Sequence, residues 1–177
     1  VPNANRKDVR DTVEIASKAK IKQISNFNRS QILFYLAENL QDKENNFVNL
    51  ISSLTGLEKN ESLNEFNKSQ ERLFYFASMA DKFEGNVHNP PIRGLTLAIK
   101  ESIGVVTTIL DDQFPLLSLI TVLGANFATG NASIIVPGEK TSLIASEIYN
   151  LLDTSDVPAG FVNILTTKQN SLNKILS

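Results

Sequence analysis

The sequence predicts an α/β fold in which a helical first half is followed by a parallel βαβαβ unit. Three observations predict it. Apolar residues recur at helical spacing through roughly the first 84 positions. The period changes at Asn89-Pro90-Pro91. Beyond that point, short β-branched runs alternate with amphipathic segments.

In the first half, Asn5 caps a helix whose apolar face is Val9, Val13, Ala16 and the stem of Lys20, with Ile15 and Ala19 beside it. A second helix begins near Asn28 and repeats Leu33, Leu36, Ala37 and Leu40. A third carries Phe47, Leu50, Ile51 and Leu54, with Gly56 where a left-handed cap belongs. The fourth spans 61–84, with Phe66, Leu73, Phe76, Ala77 and Ala80 on one stripe before Gly85. These faces read as core. Phe34, Tyr35, Phe74, Tyr75 and Phe76 read as core or packing surface rather than as a stacking platform.

In the second half, Leu95, Leu97 and Ile99 alternate with Thr96, Ala98 and Lys100, the period of a half-buried strand. Residues 103–110 form a continuous apolar, β-branched run, as for a strand buried on both faces. A helix over 114–128 stops at Gly130. A buried strand over 132–136, a helix over 141–152 and a strand over 161–165 follow, with a helical tail after Lys168. This order with short connections gives a parallel sheet. Such sheets bind ligands beyond the carboxyl ends of their strands, here Asp111-Asp112-Gln113, Pro137-Gly138-Glu139 and Thr166-Thr167. The result is a Rossmann-like, nucleotide-binding type of half-domain, although no GxGxxG or Walker-type loop is present.

At 177 residues the chain is one domain's worth of polypeptide, or a large piece of one. A hydrophobic fraction of 42% and a charged fraction of 20% suit a globular protein. Net charge of −2 and scattered basic residues give no electrostatic reason to expect nucleic acid or an anionic membrane as partner. No apolar run reaches membrane-spanning length, and residues 1–10 are too polar for a secretory signal. A cytoplasmic location is expected. There is no cysteine, which excludes disulfides, thiolate metal sites and a cysteine nucleophile within these residues. His88, the only histidine, has no acid or serine paired with it by spacing and reads as a loop residue.

The stretch IGVVTTILDDQFPLL…GANFATGNASIIVPGEKTSLIASEIYNLL…VPAGFVNIL, over 103–165, resembles the cofactor domain of aldehyde dehydrogenases. The family pattern is a Gly-Val-rich strand, a Pro-Trp-Asn-Phe-Pro turn, an Ala…Gly-Asn turn, a Lys-Pro-x-Glu turn and a Pro-x-Gly-x-x-Asn turn. NRKDVRDTVEIASKA, RSQILFYLAENL and LTG match the family's leading helices in kind and order. Several motifs in order carry the likeness, which covers nearly the whole chain. RLFYFASMADKFEG and DTSDVPAGFVNIL resemble most the branch whose chains carry two such modules, the second often degenerate.

The resemblance implies a partial aldehyde dehydrogenase fold, with residues 1–177 a partial cofactor domain and the catalytic domain absent. It also implies that 92–101 leaves the domain as a strand that builds the oligomer, with Pro91 and Gly94 as hinges. An ordinary edge strand of the main sheet is the competing reading of the alternation. Family members oxidise aldehydes with a cysteine thiolate, a glutamate that activates water and NAD or NADP as hydride acceptor. That cysteine and glutamate belong to motifs beyond the matched region. The chain is therefore expected to be a portion of a larger module, inactive alone. Its expected partners are the missing catalytic half or a neighbouring module, and further copies of itself.

By position, the resemblance assigns the cofactor contacts to Ile109, Leu110, Asp111, Asp112, Val136, Pro137, Gly138 and Glu139. Gln113 stands where active members have the oxyanion-holding Asn, and its amide sits one methylene further out. Losing such a donor costs roughly 2.7–4 kcal/mol of barrier. A plain turn residue is the competing reading. Asp111 and Asp112 replace a Pro-Trp pair beside the dinucleotide. Unit charges about 6 Å apart interact by roughly 3 kcal/mol at an effective dielectric near 20, so two carboxylates there would repel a pyrophosphate. The pair reads as a solvated loop rather than a metal site, because no His or further acid completes one. Val136 takes the place of the Lys that binds the adenosine ribose, at a cost of about 1.5–3 kcal/mol. Glu139 matches the acid that contacts the ribose hydroxyls, although an acid at a helix N-terminus needs no ligand to explain it. Weak or absent dinucleotide binding is expected. Two functions stay open: a portion of an NAD(P)-dependent aldehyde dehydrogenase, or a non-catalytic, pseudoenzyme-like module for oligomerisation or for capping an active one.

Overall fold

The structure, a computed structural model, describes residues 2–19, 24–83 and 85–168. The stem of Lys20, the expected helix end at Glu84 and the expected tail over 169–177 lie outside the described residues.

Helix α1 (Arg6–Lys18) starts where Asn5 accepts the Lys7 and Asp8 amides and Asp8 answers on the Asn5 N–H. Ala16 is its buried contact, whereas Val13 and Ile15 stay exposed, so the apolar face is narrower than the periodicity suggests. Helix α2 (Asn26–Gln41) begins two residues before the expected Asn28, because Ser25 caps it. It buries Leu33, Leu36, Ala37 and Leu40. Helix α3 (Glu44–Thr55) ends on Gly56 at φ 77°, a left-handed backbone that glycine adopts without strain. Helix α4 (Lys59–Ala80) buries Phe66, Leu73, Ala77 and Ala80 and stops at Asp81, short of the expected end.

Strands β1 (Asn86–His88) and β2 (Thr96–Ala98) pair antiparallel, Val87 opposite Leu97, as a separate two-stranded ribbon. Two expectations fail here. The 92–101 segment is not an edge strand of the main sheet, and it is not half-buried. Both ribbon strands are exposed throughout, with Val87 67% and Leu97 55% exposed, because no third layer covers them among the described residues. His88, expected in a loop, lies within β1.

The main sheet is parallel, in the order β3 (Val105–Ile109), β4 (Ala132–Val136), β5 (Val162–Ile164). Helix α5 (Pro115–Ala128) connects β3 to β4, and α6 (Ser142–Thr154) connects β4 to β5. This is the expected α/β architecture: a helical half followed by a Rossmann-like βαβαβ unit. Strand β4 is central and wholly buried, with α1 running against all three strands. Strand β3 departs from expectation. It lies at the sheet edge and is only half-buried, since one flank has no neighbouring strand among the described residues. Helices α2 and α4 pack on α5, and Phe127 meets Phe161 with ring centroids 5.3 Å apart. Burying each such aromatic or aliphatic side chain contributes about 1.5–3 kcal/mol. Tyr35, Phe74 and Tyr75 remain largely on the surface, while Phe34 and Phe76 pack against the core. Among the described residues, no helix is long and apolar enough to cross a membrane.

Candidate functional site

The parallel strands deliver their carboxyl ends to one side of the sheet. At the end of β3, Leu110 is buried and donates its N–H to the Val136 carbonyl at 2.8 Å, which keeps the first two strand ends in register. The chain then turns sharply. Asp111 Oδ1 accepts the Gln113 amide at 2.9 Å, and the Gln113 carbonyl accepts the Ser118 hydroxyl. Gln113 itself is exposed. Phe114 caps α5 in the left-handed region at φ 46°, which is strained for a side chain branching to a ring.

Asp112 does not sit in solvent as the expected loop acid. Its Oδ1 accepts the Lys140 amide at 3.0 Å, the Thr141 amide at 3.2 Å and the Thr141 hydroxyl at 3.0 Å. All three donors belong to the turn that opens α6, at the end of β4. A negative group there is favoured by the helix dipole as well as by the bonds. Gly138 permits the contact: a Cβ there would lie 2.3 Å from Asp112 Oδ1 and 2.7 Å from the Asp111 carbonyl.

The remaining position-assigned residues divide by depth. Val136, Pro137 and Gly138 are buried, Val136 at 0% exposure, whereas Ile109, Asp111 and Glu139 are exposed. A cleft of about 400 Å³ opens beyond β4 and β5, with Pro137, Gly138, Glu139, Lys140 and Lys168 among its lining. The chain's start forms another wall. Ala4 donates its N–H to the Thr166 carbonyl at 2.8 Å, and Thr166 donates its hydroxyl to the Pro2 carbonyl at 2.7 Å. Asp111, Asp112 and Gln113 are not part of that lining. The geometry therefore brings Pro137, Gly138 and Glu139 together with Thr166 and Thr167, and sets the β3 turn apart behind the Asp112 contact.

Sequence reasoning missed Glu65. This α4 residue is 3% exposed, and its Oε1 accepts the Leu116 and Leu117 amides at 2.9 and 3.2 Å, at the start of α5. Its Oε2 is buried with no partner among the described residues. Burial pushes the carboxyl's pKa up, and the Leu117 and Leu116 amides oppose that rise. The signal was present: an acid lies in the buried stripe between Ser62 and Ser69.

Comparison with known proteins gives a consistent result. The profile of the aldehyde dehydrogenase family matches residues 1–177. A lactaldehyde dehydrogenase of Methanococcus maripaludis is 30% identical over 168 residues, covering 92% of this chain and 36% of the relative. Human aldehyde dehydrogenase 1A1 is 31% identical over 163 residues, covering 90% of this chain and 32% of the relative. The solved NAD-dependent aldehyde dehydrogenase from Sinorhizobium meliloti superposes with a TM-score of 0.94 at 24% identity, over 99% of this chain and 36% of that one. Betaine aldehyde dehydrogenase from Staphylococcus aureus, solved with NAD+, gives 0.95 at 23% identity over 99% of this chain and 37% of that one. The chain spans about a third of the length of the relatives it matches.

Proposed function

The chain belongs to the aldehyde dehydrogenase family, and from that membership we propose that it is a cofactor-domain portion of an aldehyde-dehydrogenase-like oxidoreductase with weakened dinucleotide binding. The observation that carries the reading is the cleft beyond β4 and β5 with Glu139 on its wall. Parallel α/β sheets take their ligands at this end.

The residues fit NAD or NADP only in part. Glu139 is exposed at the cleft and suits the hydroxyls of a ribose. Val136 is buried and offers no cation or donor from its side chain. Asp112 places a carboxylate on the amides that open α6. This end of the β3–β4 crevice suits a pyrophosphate poorly. The 177 residues contain no cysteine, so a thiolate nucleophile has to come from other residues, on the same polypeptide or on a partner. Gln113 is exposed on the β3 turn, outside the cleft lining, and is the oxyanion candidate by position.

Calorimetric titration of NAD and NADP into the protein at its natural length tests the reading. Saturable binding in the high-micromolar to millimolar range is expected, on the order of one charge-assisted bond weaker than a cofactor site retaining its cation. No detectable binding at millimolar cofactor would overturn the enzyme reading.

A second reading is a non-catalytic, degenerate module kept for homo-oligomerisation or for capping an active neighbour. The exposed ribbon favours it, since Val87 is 67% exposed and Leu95, Leu97 and Ile99 also face outward. Under this reading Val136→Lys and Gln113→Asn leave the protein unable to oxidise an aldehyde. Activity in either variant would sink it.

A further inference from the structure

We infer that Glu65 is the positioning residue for Gln113: by holding the start of α5 it sets where Gln113 stands at the end of β3. The inference rests on the proposed oxidoreductase reading, in which Gln113 is the oxyanion candidate.

Gln113 lies between two anchors. On one side, Asp112 ties the turn to the opening of α6 through the Lys140 and Thr141 amides. On the other, Glu65 Oε1 accepts the Leu116 and Leu117 amides and ties the turn to α4. The bonds of Gln113 itself stay inside the turn: its amide donates to Asp111 Oδ1, and its carbonyl accepts the Ser118 hydroxyl. They fix the shape of the turn and leave its place to the anchors. Glu65 is the deeper anchor, 3% exposed and next to Phe66, which is fully buried. Its Oε2 is buried as well, with no partner among the described residues. A surface cap holds a helix start without that desolvation cost. Between Gln113 and the capped amides the chain has little slack, because Phe114 is held at φ 46° and the Pro115 ring fixes its own φ. A shift in the first turn of α5 is therefore passed back to Gln113. Glu65 also spends the Leu116 and Leu117 amides within the protein. A developing oxyanion beside this turn meets no donor from those two residues, which leaves the Gln113 side-chain amide as the group to be placed. Its placement matters, since a misplacement of about 1 Å can cost about 100-fold in rate.

The test uses the protein at natural length, as wild type, Glu65→Ala, Glu65→Gln and Glu65→Asp, with Gln113→Ala and its double variant with Glu65→Ala. Amide hydrogen exchange reads the placement. In Glu65→Ala the Gln113 and Ser118 amides should exchange at least about ten-fold faster, while the exposed Gly56 amide that closes α3 stays unchanged. Glu65→Gln keeps an acceptor oxygen at the same reach and should restore both amides to within about three-fold. If Glu65→Ala does not fold, Glu65→Asp, one methylene shorter, replaces it, and Gln113 should exchange faster there than in Glu65→Gln. Unchanged exchange at Gln113 in the folded variants would overturn the inference. Steady-state oxidation of propanal with NAD reads the consequence. In Glu65→Ala kcat should fall about ten-fold or more, with KM for propanal moved by less than about two-fold, and Glu65→Gln should recover most of the loss. The same fall in the Gln113→Ala background would show that Glu65 does not act through Gln113. Wild type that neither binds NAD nor oxidises propanal would overturn the oxidoreductase reading, and exchange at Gln113 would still decide the placement.

Discussion

The Glu65 carboxylate on α4 accepts the Leu116 amide at 2.9 Å, across 51 positions of sequence. It replaces a local cap that α5 lacks: Phe114, the N-cap residue, makes no side-chain bond to the helix start. Phe114 also holds a left-handed backbone, a conformation costing a non-glycine residue about 1–2 kcal/mol. Strain of this kind persists where neighbours over-determine it. Glu65 does so by fixing the two amides just past the turn that bears Gln113. Glu65→Leu should therefore lose about 2–4 kcal/mol of stability, from two orphaned donors and a lost charged acceptor. Urea unfolding measures it, and a loss below about 0.5 kcal/mol would mean the cap is not holding the turn.

The same residue makes a prediction about pH. Burial raises its pKa in the folded state, so the folded protein binds this proton more tightly than the unfolded chain does. The cost of burying the charge is absent below the unfolded carboxylate value near 4.3 and grows as pH rises towards the raised folded value. Glu65→Gln cannot titrate. Wild type should thus gain stability relative to Glu65→Gln when the pH is lowered from 7 towards about 4.5. Parallel urea unfolding of the two proteins at both pH values decides the matter. A difference that stays flat, or moves in favour of the glutamine variant on acidification, contradicts the sign.

Asn131 ties the start of β3 to the turn before β4. Its Oδ1 accepts the Ile103 and Gly104 amides at 2.7 and 3.0 Å, and its Nδ2 donates to the Thr129 hydroxyl at 2.8 Å. Asn131→Ala should cost about 2–3 kcal/mol, because two amides lose their acceptor at a half-buried position. Asn131→Asp keeps the acceptor oxygen and should recover part of that loss. The pair is compared by thermal unfolding, and equal destabilisation by Ala and Asp would remove the acceptor from the account.

What could be read in the sequence follows from the range of each interaction. Leu33, Leu36, Ala37 and Leu40 announce a buried helical face because that pattern is local, and all four are buried. Strand β4 is equally plain, as a short β-branched run before a turn. The run over 103–110 looks the same in composition, yet β3 lies at a sheet edge, a fact of topology that no local pattern carries. Alternation at Leu95, Leu97 and Ile99 gives a strand but not its cover, and a lone ribbon has none. Among the candidate site residues, Asp112 read as solvated because its donors lie 28 and 29 positions away. Glu65 lay in plain view as an acid on an apolar stripe, a pattern that calls for a buried partner.

The ribbon carries the prediction for assembly. Leu97 is 55% exposed and opposite Val87, at the centre of an apolar surface that no described element covers. If copies of the chain associate through it, Leu97→Asp should shift the protein to a smaller species in light scattering. The unfolding midpoint of that smaller species should remain that of a dissociated wild-type subunit, because Leu97 is 55% exposed and outside the buried core. An unchanged mass for Leu97→Asp would exclude the ribbon as the contact.

Gly138 gives the sharpest structural test of the Asp112 contact. Its backbone does not occupy the left-handed region, so adding a side chain costs nothing through φ. The cost must come from the collisions. A Cβ would press on Asp112 Oδ1 at 2.3 Å, a carboxylate that can rotate away, and on the Asp111 carbonyl at 2.7 Å, backbone that can move only with its loop. Gly138→Ala should therefore expel the carboxylate from its three donors and shift the β3 turn, for a loss of about 2–4 kcal/mol. Part of that loss belongs to Asp112 and should vanish when Asp112 is already Ala. A double-mutant cycle of Gly138→Ala and Asp112→Ala, read by urea unfolding, should give a coupling of at least about 1 kcal/mol. Strict additivity would mean that the glycine serves only the Asp111 backbone, and that the carboxylate's seat does not depend on it.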